Sequence, residues 1–369
     1  MGRHLTAVGA VLLLATACTI QIAGNDRTAI VRGVVTANGA PLPNVSVTYG
    51  TAVLLSTTTD TTGTYRFNLK DVPDRFVIKA TAKGFLPGYA VVEYRGGVFH
   101  YLVDIALQTG TRLNAGSETT LVVPGAAPGR MVKVKAPAGS APDGGYLEVA
   151  ALRPEQGPAA MEPTENPTQR LQSSGLFFVR GVDAAGNPTE LVGNAPVTFT
   201  IATDLPTLTD SDTLKVYSLQ EDGLWIGSTG GTATGTELAA TKAGYWLAGR
   251  AYKTSCVRGV LNAPTRACTG ERLRVFGGGD DGVLTQDTSG TSGSFCIEGP
   301  QGRAIPMLIG SKSQMVSFPP RPASCHVNPD DCTVVSGGVS LLDTDCTASA
   351  CTRSQVDDPT TSTGCSTKQ

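Results

Sequence analysis

The sequence predicts an all-β protein built of tandem β-sandwich domains with a disulfide-rich C-terminal module. Three observations carry that prediction. Short stretches in which apolar and polar residues alternate, such as Val45-Ser46-Val47-Thr48-Tyr49, recur along the chain and are separated by Gly, Pro, Asn and Asp. Period two is the pattern of half-buried strands, and those four residue types are the ones that turns require. Of the 369 residues 44 are Gly and 23 are Pro, while only 16% are charged, against about 25% in an ordinary soluble domain. Eight of the nine cysteines, Cys256, Cys268, Cys296, Cys325, Cys332, Cys346, Cys351 and Cys365, lie in the C-terminal third. An even set in an oxidising compartment reads as a disulfide framework whose connectivity stays open. Zinc is set aside at this level, because the cysteines lack paired C-x-x-C spacing and His326 is the only histidine near them.

The ninth cysteine has its own context. Arg3 and His4 precede the apolar run Val8-Gly9-Ala10-Val11-Leu12-Leu13-Leu14, which passes into Ala15-Thr16-Ala17-Cys18. A charged start, an apolar stretch too short to cross a bilayer and a small-residue cleavage site form a secretory signal. With a cysteine directly after the small residues, the segment resembles a bacterial lipoprotein signal with its lipobox; Ala15 stands where Leu is commonest. The resemblance implies that residues 1–17 are removed and that Cys18 is acylated, anchoring the chain to a membrane. The alternative is an ordinary secretory signal with an incidental cysteine; either exports the chain. Thr19, not Asp, follows Cys18, which by resemblance to enterobacterial lipoproteins implies the outer membrane or cell surface. No second apolar run approaches spanning length, so the predicted membrane contact is the lipid. The formal charge of -2 with no basic patch excludes nucleic acid as an expected partner.

Residues 18–27 read as a polar tether, and a β domain follows over 28–108. Ile30-Val31-Arg32-Gly33-Val34-Val35 is a strand, Asn38-Gly39-Ala40-Pro41-Leu42-Pro43-Asn44 a turn. Thr57 to Phe67 reads as strand, turn and strand, with Asp60 and Gly63 at the turn. Phe76 to Ala82 is a further strand closed by Lys83-Gly84, and Phe99 to Leu107 a last one. The order of Val31, Gly33, Val35, Gly39, Pro41, Leu42, Pro43, Val45, Val47, Thr58, Asp60, Gly63, Tyr65, Phe67, Ile78, Ala80, Ala82, Gly84 and Phe85 resembles the carboxypeptidase regulatory-like domain. That resemblance implies a small transthyretin-like β-sandwich and says little of function, because the shared residues are turn and core positions.

Residues 109–252 form the predicted second β-sandwich. Thr119 to Pro124 and Val132-Lys133-Val134 are short strands, and Pro154 to Pro167 is a Pro- and Glu-rich loop. Leu176-Phe177-Phe178-Val179 and Val197 to Ile201 read as buried. Leu214 to Leu219 leads into Gly223-Leu224-Trp225-Ile226-Gly227, and Gly244-Tyr245-Trp246-Leu247-Ala248 closes the region. Asp222, Gly223, Leu224, Trp225, Gly244, Tyr245 and Trp246 resemble the ectodomains of the astroprincin family and of cartilage intermediate layer protein, which implies an extracellular, non-catalytic β domain.

Residues 253–335 read as a disulfide-stapled second copy of the first module. Val31-Arg32-Gly33-Val34 recurs as Val257-Arg258-Gly259-Val260, Val47-Thr48-Tyr49-Gly50 has Arg274-Val275-Phe276-Gly277 as counterpart, and Gly63 to Phe67 has Gly293 to Ile297. Added cysteines compensate a small core. The tail 336–369 is Ser/Thr/Cys-rich and reads as disulfide-tied loop or disordered chain.

Catalytic chemistry finds little support. Hydrolysis by a serine or cysteine nucleophile needs a histidine oriented by a carboxylate; His100 lies in a strand-like run and His326 in a cysteine-rich loop. Ser173 lacks a nucleophile-elbow pattern, and no zinc-peptidase motif of His and Glu occurs. Glu190, Asp222 and Glu237 are the carboxylates available to a glycosidase, without distinguishing spacing. Calcium is the one cofactor with candidate ligands: Asp183 to Asn187, Asp204 with Asp210 and Asp212, and Asp280-Asp281. Asx turns explain them equally. The leading expectation is a non-enzymatic structural or adhesive surface protein with a cell-envelope protein or polysaccharide as partner. The alternatives are a carbohydrate-binding module using Trp225 and Trp246 as exposed platforms, and a carboxylate-dependent hydrolase.

Overall fold

The computed structural model describes residues 27–50, 55–73, 75–94, 100–123, 131–153, 169–193, 196–200, 215–221, 223–227, 232–234, 237–264, 272–276, 283–288, 293–309, 312–325, 329–335 and 338–341. Among them, regular structure is β throughout apart from one 3-10 turn, Pro329–Asp331.

The first module comprises β1 (Ala29–Ala37), β2 (Ala40–Pro41), β3 (Ser46–Tyr49), β4 (Leu55–Thr58), β5 (Thr64–Leu69), β6 (Arg75–Thr81), β7 (Gly88–Glu93), β8 (His100–Leu102) and β9 (Ile105–Leu107). One sheet has the order β2-β1-β5, with β8 and β9 both parallel to β1; the other has the order β4-β3-β6-β7. Strict alternation decides the faces: Tyr65, Phe67 and Leu69 of β5 point inward and their neighbours outward. They pack against Val31, Val47, Tyr49 and Ile78. Between β8 and β9 the chain lies directly on β1. Val103 N–H donates to the Arg32 carbonyl at 2.8 Å, and the Tyr65 hydroxyl donates to the Val103 carbonyl at 2.5 Å. Gly33 makes that approach possible, since a Cβ there would stand 1.8 Å from the Val103 oxygen.

The middle module contains β10 (Thr111–Leu113), β11 (Glu118–Val122), β12 (Met131–Lys135), β13 (Tyr146–Leu152), β14 (Gln169–Val182), β15 (Pro188–Thr189), β16 (Val197–Thr200), β17 (Lys215–Leu219), β18 (Trp225–Gly227), β19 (Thr232–Thr234), β20 (Glu237–Ala240) and β21 (Gly244–Asn262). The sheet β11-β12-β16-β20-β19 faces the path β10-β13-β14-β21-β17-β18. Between them Phe177 and Phe199 meet at 4.7 Å, with Trp246, Val134 and Leu238 in the same core. The opposite face of β14 and β21 is covered as well. Phe178, Tyr245, Leu247 and Trp225 pack there with Leu86 of the first module. A sheet buried on both faces needs apolar residues on both, which is why Leu176–Val179 and Tyr245–Ala248 are continuous apolar runs instead of alternating ones.

The third module adds β22 (Arg272–Phe276), β23 (Val283–Thr288), β24 (Ser294–Pro300), β25 (Ala304–Ile309), β26 (Lys312–Ser317), β27 (Thr333–Val334) and β28 (Val339–Ser340). It repeats the first in topology. The C-terminal half of β21 takes the place of β1: it pairs antiparallel with β24 and parallel with β27 and β28. The order β23-β22-β25-β26 matches β4-β3-β6-β7. Gly259 lies opposite Phe295 as Gly33 lies opposite Tyr65, and Val335 N–H donates to the Arg258 carbonyl at 2.8 Å as Val103 does to Arg32. Burial shifts one sequence correspondence by a residue. Leu273 and Val275 are buried on β22 as Val47 and Tyr49 are on β3, so Val275 matches an inward position of β3 and not the half-exposed Thr48. A one-residue slip in a strand exchanges its faces.

Two junctions tie the modules together. β21 runs unbroken from the middle sheet into the third module, pairing with β14 through residues 244–253 and with β24 through 254–260; the position 252/253, where sequence places a boundary, is interior to that strand. At the other junction Tyr245 donates its hydroxyl to the Pro87 carbonyl at 2.6 Å, Arg180 donates to the Phe85 carbonyl at 3.2 Å, and Tyr89 meets Tyr245 edge-on at 6.0 Å. Burial pushes the Tyr245 phenol well above its usual range, with Tyr89 and Glu148 acting the same way and Arg180 opposing. Tyr245→Phe is therefore expected to cost about 1 kcal/mol of stability, read in urea denaturation of the full chain.

Candidate functional site

The described side chains richest in chemistry converge where β21 enters the third module. Val257 of β21 faces the core, so Cys256 and Arg258 face outward. Register sets Cys256 opposite Glu298 and Arg258 opposite Cys296, which puts both cysteines and the glutamate on one outer face of the β21–β24 pair. On the other side of β21, Val257 pairs with Thr333, so Cys332 arrives beside Cys256. The segment Arg321–Cys325 closes over this face and brings Cys325 down with Ala323. Cys256 bonds to Cys332 and Cys296 to Cys325. The two disulfides lie against each other: Cys296 Sγ is 3.5 Å from Cys332 Sγ, and all four sulfurs lie within 4.8 Å of one another. The absence of C-x-x-C spacing did not prevent their gathering, because strand pairing, not local sequence, supplies the proximity.

Beside the sulfurs is a buried ion pair. Glu298 Oε2 lies 2.5 Å from an Arg170 terminal nitrogen, with side chains 2% and 7% exposed. Glu298 Oε1 accepts from the Ser324 hydroxyl and from the Cys325 N–H, each at 2.8 Å. One carboxylate thus joins β24, the disulfide-bearing segment and, through Arg170 on β14, the middle module. Arg170 pairs in register with Tyr252. Burial pushes the Tyr252 phenol well up, Arg170 acts against that shift and Glu298 with it. Sequence gave no sign of this pair: the partners sit on different modules, and Glu298 occupies an outward strand position that only the overlying segment buries.

The remaining sequence candidates are dispersed. Trp225 and Trp246 are both 0% exposed, the core placement that their apolar strand contexts favour, and this removes the exposed platforms of the carbohydrate-binding alternative. Trp246 fills the sandwich core and donates to the Lys242 carbonyl at 3.0 Å. Trp225 fills the interface with the first module, and its indole N–H has no hydrogen-bond partner among the described residues. Neither offers a face to a sugar. Ser173 is buried in β14, and His100 belongs to β8. Glu190 accepts the Ala243 N–H at 3.2 Å, while Glu237 lies on β20 between Thr200 and Thr234. The Asp183 carboxylate accepts the Ala185 and Asn187 N–H groups at 2.9 and 2.8 Å and the Asn187 amide at 3.1 Å. It closes an Asx turn, as Asp60 does toward Thr62 and Thr64. Cys18, Cys268, Cys346, Cys351, Cys365, His326, Asp204, Asp210, Asp212, Asp222, Asp280 and Asp281 lie outside the described residues.

Hydrogen bonds to their ionised forms hold the Asp60 and Asp183 carboxyls below the usual range: the Thr62 hydroxyl acts first on Asp60, the Asn187 N–H first on Asp183. Their folded-state values are depressed, so the stabilisation from both turns is complete above the ordinary carboxylate value and is lost as pH falls through the folded values. An NMR pH titration is expected to show both carboxyls protonating below the usual aspartate range.

No protein-family model matches the chain, and no curated protein matches it. Solved structures it resembles include the Bacillus anthracis TIE protein, at 9% identity and a TM-score of 0.20 over 86% of this chain and 50% of that one; the chain thus spans half that protein's length. The major pilin SpaD of Corynebacterium diphtheriae matches at 9% identity and a TM-score of 0.20, over 86% of this chain and 97% of its own. The Bacillus cereus major pilin subunit BcpA matches at 8% identity and 0.18, over 85% and 99%. At such identities and scores these likenesses carry no functional argument.

Proposed function

We propose that this chain is a non-enzymatic structural unit of the cell envelope, exported, anchored by a lipid on Cys18, and working through protein contacts. The observation that supports it best is the construction of its junctions. The first module is bound to the middle one by an apolar interface around Leu86, Trp225 and Tyr245, and the middle to the third by the continuous strand β21. A load applied to the third module passes through strand pairing and buried side chains, with no linker at that junction to extend first. Buried hydrogen-bonded interfaces of this kind suit a module that holds its neighbours at fixed geometry.

The anchor and the partner are tested together. Cells fed a labelled fatty acid are expected to label the wild-type chain and not Cys18→Ser; equal labelling, or none, overturns the anchor. Residues 19–369 are then used as bait on native envelope. A stoichiometric protein partner is the expected result, and recovery of polysaccharide alone overturns the protein-contact reading.

A further inference from the structure

We propose that the four cysteines of the junction form, when reduced, a tetrathiolate site for a zinc ion. Three of the four positions are set by backbone pairing and not by the disulfides. Cys256 and Cys296 are diagonal neighbours on one face of the β21–β24 pair, and Cys332 is delivered beside Cys256 by the parallel pairing of β21 with β27. The fourth, Cys325, is held by its own N–H and by Ser324 on the Glu298 carboxylate. Opening the two S–S bonds removes none of these constraints.

The dimensions fit the ion. Zn–S bonds of about 2.3 Å in a tetrahedron set the sulfurs about 3.8 Å apart. The six pairwise separations here run from the two bonded pairs through the 3.5 Å contact to no more than 4.8 Å. Reduction lets the bonded pairs widen toward the value the others already bracket. Four soft sulfur ligands without water or carboxylate favour zinc over calcium or magnesium. The enclosure is closed: Cys256, Cys325 and Cys332 are buried and Cys296 partly so, as in structural sites without an open coordination position.

The chemistry balances. Each disulfide takes two electrons and two protons and becomes two thiols: a dithiol supplies both and closes to its own disulfide, whereas a phosphine supplies the electrons and becomes its oxide, with one water giving the oxygen and the two protons. Zinc then displaces the four thiol protons. The same fold therefore has two cross-linked forms: disulfides after oxidation, and zinc in a chain not yet oxidised or one reduced again. The junction in either form keeps the segment Arg321–Cys325 on β24.

The test uses the full chain with Cys18, Cys268, Cys346, Cys351 and Cys365 replaced by serine, reduced with a phosphine without oxygen. Cobalt(II) is the probe. The expected result is the visible d–d spectrum of tetrahedral tetrathiolate cobalt, saturating at one ion per chain and abolished by zinc. Cys296→Ser and Cys332→Ser are each expected to remove that spectrum. Its absence at stoichiometric cobalt overturns the proposal, whether or not circular dichroism shows the reduced chain still folded. So does a spectrum that survives either substitution.

Discussion

Glu298→Ala is expected to destabilise the protein by about 3–5 kcal/mol, the cost of leaving one partner of a buried ion pair without its counter-charge. The Arg170 and Glu298 side chains are 7% and 2% exposed, so water does not replace the lost carboxylate. The same change removes the acceptor of the Ser324 hydroxyl and the Cys325 N–H, and each buried donor left unsatisfied adds to the loss. Replacing both members, Arg170→Met with Glu298→Leu, is expected to cost much less than the single change, because no charge then remains buried. Urea denaturation of oxidised protein at neutral pH checks both. A single variant within about 0.5 kcal/mol of wild type, the range of ordinary surface substitutions, would mean that the pair is solvated and does not bind the modules.

The second large effect is that of the outer disulfide. Cys256 and Cys332 are 76 residues apart in sequence, and Cys296 and Cys325 are 29 apart and nested within that loop. Loop-closure entropy assigns about 4.5 kcal/mol to the longer cross-link and about 3.6 kcal/mol to the shorter. Cys256→Ala with Cys332→Ala is therefore expected to lower stability more than Cys296→Ala with Cys325→Ala. Removing all four is expected to cost slightly more than the two losses together, since each cross-link, while closed, shortens the loop that the other restrains. Denaturant midpoints of the three variants, measured without reductant, decide the ranking. Equal losses would show that packing in the sulfur cluster, not chain entropy, sets the contribution.

Comparison of the two related modules explains why the staple sits in only one. At the positions of Cys256, Cys296 and Cys332 the first module has Ile30, Arg66 and His100, read from the matching registers of β1 with β5 and β8. Among the described residues its core holds Tyr49, Tyr65, Phe67, Phe76 and Tyr101, and the core of the third module holds Tyr252, Phe295 and Phe318. A core with less aromatic area buries less apolar surface, and cross-links offset that deficit.

What the sequence by itself determined was the local grammar. The alternation in Thr64–Leu69 placed Tyr65 and Phe67 inside, Gly63 and Asp60 marked their turn, and the string Val257-Arg258-Gly259-Val260 repeats Val31-Arg32-Gly33-Val34 on strands that pair in corresponding registers. These features were legible because each arises from residues adjacent in the chain: side-chain period, turn conformation, and a glycine where another backbone crosses. The tertiary structure alone decided which face of a strand is covered, and by what. Trp225 and Trp246 look alike in sequence, yet one fills a sandwich core and the other an interface with Leu86, contributed by a different module. Four cysteines with no motif spacing converge because β21 carries one module into the next, and Glu298 meets Arg170 across the same junction. Contacts between residues so far apart in the chain leave no periodic trace, since each strand's pattern records only that a face is buried and not which partner buries it.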